Sequence, residues 1–301
     1  MTPSERWHCL LHGNLSALPR TPEGRADLRE ISVQVAPVVA RREVAAWDVE
    51  RVDLSDHRIE RKVIDKVDFS GSDLRDVVFI DCTLTDCCFD KCSLVDISTI
   101  RSTFSSCTFR SAKLKGCSLG IISEPTGSVS SYRDCDFSGA RLGIFSLGAL
   151  YERCTFKAIR ATRIDLHQTC FVDCVFGGVL REVRFWRTDT VAMERGWLRP
   201  NDMAGCSFEE ATLYGVAFHN MDPAFRLPSK QHLIIGDWPT WYGRVSRVLK
   251  DRSDPAGKAL STWLAVCDQW GLGLMRFAVI SEAELLEEGG PECVALAYEL
   301  A

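Results

Sequence analysis

From Leu54 onward the chain places a large residue at every fifth position: Leu54, Ile59, Ile64, Phe69, Leu74, Phe79, Leu84, Phe89, Leu94, Thr99, Phe104, Phe109, Leu114 and Leu119. Thirteen of these fourteen are Leu, Ile or Phe. A second series runs two residues ahead of the first: Val52, His57, Lys62, Val67, Ser72, Val77, Cys82, Cys87, Cys92, Ile97, Ser102, Cys107, Ala112 and Cys117. After its first members this series is small and mostly apolar, and the positions between are rich in Asp, Ser, Thr, Arg and Lys. A helix repeats its apolar face every 3.6 residues and a strand every two, so a period of five matches neither. It predicts a chain that turns a corner every five residues. Residues two apart in a short extended segment point the same way, so each side sends one large and one small side chain inward.

The pattern returns at Cys135-Asp136-Phe137, Ala140-Arg141-Leu142, Phe145-Ser146-Leu147 and Cys154-Thr155-Phe156. It continues through Ile164-Asp165-Leu166, Thr169-Cys170-Phe171, Cys174-Val175-Phe176, Val183-Arg184-Phe185, Cys206-Ser207-Phe208, Ala211-Thr212-Leu213 and Val216-Ala217-Phe218. Its phase slips by one between Leu147 and Phe156 and again before Phe185. The motif resembles that of the pentapeptide-repeat family: a small residue, a polar residue, a central Leu or Phe, then two polar residues. The resemblance implies a mainly β fold, a right-handed quadrilateral β-helix with four pentapeptides to a coil. Residues twenty apart then stack, with Leu54, Leu74, Leu94 and Leu114 in one ladder and Phe69, Phe89 and Phe109 in another. The ends of such a stack are unpaired edges that need caps.

Three regions break the rhythm. Residues 1–48 are expected to form an N-terminal cap, guessed to be β-rich, and the solenoid spans 49–221. Excursions are expected near 120–132, around GIISEPTGSVSSYRD, and near 186–203, around WRTDTVAMERGWLRPND. Pro125, two glycines and several serines mark the first as a loop, and the second carries Trp186, Trp197, three arginines and Pro200. Tryptophan and arginine beside loop residues are common at interfaces. The candidate partner-binding residues are therefore Ile121, Ile122, Glu124, Trp186, Arg187, Arg195, Trp197 and Arg199. From 222 to 301 the sequence reads as a small mixed α/β C-terminal cap. Asp237 caps a helix carrying Trp238, Trp241, Tyr242, Val245, Val248 and Leu249. Asp254-Pro255 opens a second, with Leu260, Trp263, Leu264, Cys267 and Trp270 on one face and Gly271 placed to stop it. Residues 274–280 read as a strand, and Ser281 with Glu284 as the capping box of a short helix ending at Glu288. The final PECVALAYEL fits no single element.

Composition narrows the function. The chain has 301 residues, 46% hydrophobic and 26% charged, ordinary for a folded domain. Its N-terminus lacks the pattern of a secretory leader and no stretch is apolar enough to span a membrane, so the expectation is a cytoplasmic protein with no membrane partner. Net charge is −5 but uneven: 48–100 carry thirteen acids and seven bases, 101–199 nine acids and fifteen bases. No region is strongly basic by composition, so direct nucleic-acid binding is not expected. The four cysteines of DCTLTDCCFDKC lack zinc-ligand spacing. Cys82, Cys87, Cys92 and Cys107 occupy the small inward position, where a free thiol packs as a small apolar group. Cys87 and Cys107, a coil apart, are within reach of a disulfide that a reducing compartment disfavours. No nucleophile elbow, HExxH, P-loop or GxGxxG is present. No catalytic residue, cofactor or metal is expected.

These features predict a non-catalytic macromolecule-binding protein with a protein partner. The best understood pentapeptide-repeat proteins protect type II topoisomerases such as DNA gyrase from inhibitors, by resemblance to duplex DNA. The resemblance therefore implies a protector or regulator of gyrase that gives inhibitor resistance. The basic half of the solenoid departs from that pattern. The alternatives are a scaffold that recognises its partner through the C-terminal region, and an enzyme hosted there. Solenoid ends offer edges for a homodimer, which a large C-terminal cap would block.

Overall fold

A computed structural model describes residues 54–121, 129–143, 149–167, 169–187, 200–269 and 275–301. The N-terminal cap, Ile122, Glu124, Arg195, Trp197, Arg199, Trp270 and Gly271 lie outside the described residues.

The five-residue period becomes a four-walled coil because each central residue is followed, two positions later, by a left-handed corner. Asp56, Arg61, Lys66, Asp76, Asp81, Asp86, Lys91, Asp96 and Arg101 all have φ between 49° and 61°. Asp suits such corners because its short polar side chain tolerates this conformation. Wall one stacks β1 (Arg58–Glu60), β3 (Val78–Ile80), β5 (Ser98–Ile100) and β8 (Ser118–Ile121). Wall two stacks β2 (Val63–Asp65), β4 (Thr83–Thr85), β6 (Thr103–Ser105), β9 (Ser130–Arg133), β11 (Ala149–Glu152) and β13 (Cys170–Val172). All pair in parallel, with Ile64 beside Leu84 and Leu84 beside Phe104. Walls three and four begin as single bridges, such as Asp68 to Cys88 and Asp73 to Ser93. On wall four these lead into β7 (Lys113–Leu114) and β10 (Arg141–Leu142). Higher up, β12 (Thr155–Leu166) and β14 (Val175–Trp186) run round two corners, and β15 (Ser207–Tyr214) and β16 (Ala217–His219) continue them.

The interior is apolar and aromatic. Leu54, Leu74, Leu94 and Leu114 are buried. Phe69, Phe89 and Phe109 stack at 5.0 and 4.9 Å, and Phe137, Phe156, Phe176 and Phe208 extend the column at 4.7, 4.9, 5.0 and 4.5 Å. A second column, Phe104, Tyr132, Tyr151 and Phe171, runs up wall two at 4.8, 4.9 and 5.1 Å. Offset stacking of this kind adds about 0.5–1.5 kcal/mol per pair beyond area burial.

The first excursion is shorter than 120–132. Ser130 and Tyr132 are the small and large inward residues of β9, both buried. Tyrosine fits there because its hydroxyl bonds Thr99 Oγ1 at 3.1 Å, which satisfies the polar exception in the Leu/Ile/Phe series. Tyr151 fills the same position in the next coil, and its hydroxyl has no partner among the described residues. The phase slip before Phe185 is a corner made with one residue fewer, at Gly177–Gly178, where the register against β12 shifts. Gly178 has φ +93°, and a Cβ there would lie 2.4 Å from the Ile159 carbonyl oxygen, so this corner requires glycine.

Beyond the solenoid, α1 (Trp238–Lys250), α2 (Pro255–Gln269) and α3 (Glu282–Glu299) surround an antiparallel pair, β17 (His232–Ile235) and β18 (Ala278–Ser281). Asp237 caps α1 by accepting from the Thr240 amide, and Trp238, Trp241, Val245 and Leu249 are buried. The expected strand is shorter, starting at Ala278, although Met275 and Phe277 before it are buried. One expectation for α3 is corrected: Ser281 precedes the helix without a side-chain cap bond, and Glu284 is not its capping partner. The first segment of α3 does end at Glu288, because Gly289 and Gly290, the latter at φ 70°, are non-helical; after this break Pro291 opens a second helical segment that runs to Glu299.

Glu284 instead joins the two regions. It accepts from the Gly215 amide at 3.0 Å and from Trp263 Nε1 at 2.8 Å. Burial raises its carboxyl above the usual range despite those two donors. His232 Nε2 accepts from the Leu213 amide at 3.1 Å, and Phe277 stacks on Phe218 at 5.6 Å. Side-chain acceptors thus take amides that the last coil would otherwise leave as an open edge.

Candidate partner-binding face

At the top of wall one three strands come into register. Asp165 of β12 lies beside Arg184 of β14, and Arg184 beside Ala217 of β16. Leu166, Phe185 and Phe218 follow and point inward, all buried. The next residues, His167, Trp186 and His219, therefore project outward in a column. Their rings stack at 4.5 Å and 3.9 Å, with interplanar angles of 18° and 16°. Period two along each strand and the parallel register together dictate this arrangement.

Asp165 anchors the column. Trp186 Nε1 donates to Oδ1 at 2.5 Å, His167 Nε2 lies 3.1 Å from the same oxygen, and Arg184 Nη1 donates to Oδ2 at 3.2 Å. Burial alone would raise the Asp165 carboxyl; the His167 and Trp186 hydrogen bonds and the Arg184 charge outweigh it and hold it below the usual range. His219, 1% exposed, has neither ring nitrogen bonded among the described residues. Burial, with the Arg184 charge nearby, lowers it to about 4, so the ring is neutral at pH 7.

The chain leaves this face at Arg187 and is next described at Pro200. The two points are tied together: the Asn201 amide donates to the Arg187 carbonyl at 2.7 Å, and the Arg187 amide to the His219 carbonyl at 3.1 Å. Asn201 also accepts from the Phe171 amide at 3.0 Å, and Arg187 Nε donates to Asp202 at 2.6 Å.

Of the candidates read from sequence, Trp186 and Arg187 are side by side on this face, whereas Ile121 lies at the end of β8, registered with Ile100. His167, His219 and Asp165 were missed, because their meeting depends on strand register and no local motif marks it. The cysteines carry packing. Cys82, Cys87, Cys92 and Cys107 are buried free thiols; Cys92 Sγ donates to the Phe69 carbonyl at 2.8 Å, and burial pushes this thiol up to about 12. Cys88 points outward, 2.9 Å from Ser70 Oγ. Among the described residues no group of His, Cys, Asp and Glu could hold a metal ion, and no helix is long and apolar enough to cross a membrane.

The stacked walls and the filled interior define a β-helical solenoid. Residues 65–97 match the family described as Pentapeptide repeats (8 copies). That segment consists of pentapeptide repeats, and parallel coils of the same kind continue from it up to Phe218. No curated protein matches it. Among solved structures it is similar to a trypsin-treated variant of QnrB1, a plasmid-mediated fluoroquinolone resistance protein. That match is 17% identical, with a TM-score of 0.26, and covers 57% of this chain and 87% of that one. It is also similar to HetL, a pentapeptide-repeat protein involved in heterocyst differentiation regulation from the cyanobacterium Nostoc sp. strain PCC 7120. There the identity is 14% and the TM-score 0.22, over 60% of this chain and 88% of that one. The coil geometry follows from this chain's own strand pairings, not from those likenesses.

Proposed function

We propose that this protein is a non-catalytic binder of another protein, and that the Trp186 face is its contact surface. One observation carries the reading. An outward tryptophan is held between two imidazoles and fixed by a carboxylate, on a wall of parallel-paired strands. Large rigid side chains lose little entropy on binding, and Trp and Arg are the residue types over-represented at binding hot spots. A solenoid filled by its own side chains offers little room for chemistry: its interior gap, lined by Tyr151 and Phe185 among others, is about 20 Å3, space for one water.

DNA gyrase is the partner that the family resemblance suggests. The walls weigh against uniform mimicry of duplex DNA, since acids are paired with bases a coil away, as in Asp81 with Arg101 and Asp134 with Arg153. A binding reading does not require that mimicry. Purified full-length chain is expected to protect gyrase supercoiling from a quinolone, and Trp186→Ala with Arg187→Ala to lose the protection. No protection at micromolar excess removes gyrase as the partner; protection undiminished by both substitutions moves the contact to another face.

A further inference from the structure

Basic residues far apart in the sequence meet on wall four. Lys113 of β7 lies beside Arg141 of β10, and Arg141 beside Arg160 of β12. Leu114, Leu142 and Ala161 follow them and point inward, all buried. The three cations therefore project outward one above another, and all are exposed. Lys115, two residues after Lys113 and also exposed, projects from the same face. Gly143 in the coil above leaves room for its stem, since a Cβ there would lie 3.1 Å from Lys115 Cγ. None of these four cations has an ion pair among the described residues. Elsewhere a base meets an acid one coil away, as in Arg101 with Asp81, Arg153 with Asp134 and Arg163 with Glu182. Like charges directly opposite on neighbouring strands destabilise a sheet, so the column calls for anions from outside.

The patch has definite ends. Below Lys113 the same column continues as Ser93 and then Asp73, and the Asp96 carboxylate fills the space beside Gly116 at the neighbouring corner. Above Arg160 the column becomes Val179, 41% exposed, and then Thr212. Arg181, two residues after Val179, is already matched: it lies over the Tyr214 ring at 4.3 Å and is 3.6 Å from Glu287 of α3. The free cations thus occupy three coils, about 10 Å from first to last at about 4.8 Å per coil. A nucleic-acid backbone is anionic along its whole length and would run onto Asp96 and Asp73 at one end and an apolar rim at the other. A short acidic segment with an apolar residue at one end matches the cations, their extent and the rim. Helical spacing suits the rows better than extended spacing. A helix rises about 5.4 Å per turn, so carboxylates at i, i+4 and i+7 stay within about 1–2 Å of the three coils, which Lys and Arg stems absorb. Alternate residues of a strand repeat about every 6.7 Å and drift by most of a coil over the same distance.

We infer that wall four docks an acidic amphipathic helix of a partner protein. The helix lies along the solenoid axis, with three carboxylates over Lys113, Arg141 and Arg160 and an apolar side chain from its next turn against Val179. This contact is on a different wall from Trp186 and does not depend on the function proposed for that face.

A peptide titration of the full chain, followed by nitrogen-15 amide shifts, registers weak binding and locates it. The probe is an alanine-based helix with glutamates at i, i+4 and i+7 and leucine at i+11; the control has the same composition with its glutamates spread around the helix. The probe is expected to shift the amides of Lys113, Arg141, Arg160 and Val179 and to half-saturate at a concentration about fivefold or more below the control. Raising salt from about 0.1 M to about 1 M should weaken binding severalfold, as the screening length falls from about 10 to about 3 Å. Arg141→Glu with Arg160→Glu, with unchanged circular dichroism, should abolish binding. Arg226→Glu, on wall three, should bind as the wild type does. The probe and control comparison uses the wild-type chain alone and holds whatever the variants do. No shifts on wall four, equal affinity for probe and control, or binding that survives the double reversal overturns the inference. Tighter binding of a short DNA duplex than of the probe at the same salt assigns the cations to nucleic acid and overturns it equally.

Discussion

His219 shows how a single residue is controlled by its position in the stack. It lies under Trp186 with both ring nitrogens unbonded among the described residues, where the charged groups around it are Arg184, Asp165 and His167. Its pKa falls from 6.5 to about 4 on folding, so the unfolded chain takes up this proton first. Stability from this site is therefore fully present above about pH 6.5 and is lost as pH falls toward 4, by about 3 kcal/mol at 1.36 kcal/mol per unit. His219→Phe keeps a ring for the stack without the proton. Urea denaturation at pH 7 and pH 4.5 should show this variant losing less stability than wild type; equal losses would contradict the burial argument. No spacing in the sequence marks His219, since it meets Trp186 across thirty-three residues, two strands and a corner.

At the scale of the element, a strand of two to four residues on walls one and two is too short to persist alone, and its stability comes from neighbours above and below. Phe109 illustrates the consequence. It stacks on Phe89 at 4.9 Å and on Phe137 at 4.7 Å, joining coils on either side of the first excursion. Phe109→Ala opens a cavity in a filled column and is expected to destabilise the protein by about 3–5 kcal/mol. Hydrogen exchange should place the largest loss of protection in the coils of Phe89 and Phe137, not in α1 to α3. The five-residue period made most of these elements legible. It missed units where tyrosine replaced Leu or Phe, as at Tyr132 and Tyr151, and where alanine took the large position, as at Ala161. Those substitutions depend on a hydroxyl partner in the core, or on space supplied by the coil next door.

The whole molecule is a stack closed at its upper end. The helical region was readable from amphipathic spacing, and its docking was not. Glu284 had the position of a capping residue and instead bonds Gly215 and Trp263, because the last coil presents an amide with no strand above it. Glu284→Ala leaves two donors without an acceptor, a loss of roughly 3 kcal/mol at about 1–3 kcal/mol each. Exchange in α2 and around Gly215 should rise together, while the coils below Phe137 stay protected. Uniform loosening of all coils would mean that the cap acts on the stack as a whole.

By itself the sequence determined the coil: its period, its inward residues, the packing role of its cysteines and the helical character of the region after the last repeat. Each follows from a local rule, repeated every five residues or every turn of helix. The Asp165–Trp186–His219 column and the Glu284 junction were decided by tertiary structure alone. They join residues nineteen to sixty-nine apart, and which residues meet depends on how many the chain spends between coils. One residue fewer at Gly177–Gly178 shifts the register that follows, and a local pattern does not carry that count across an excursion.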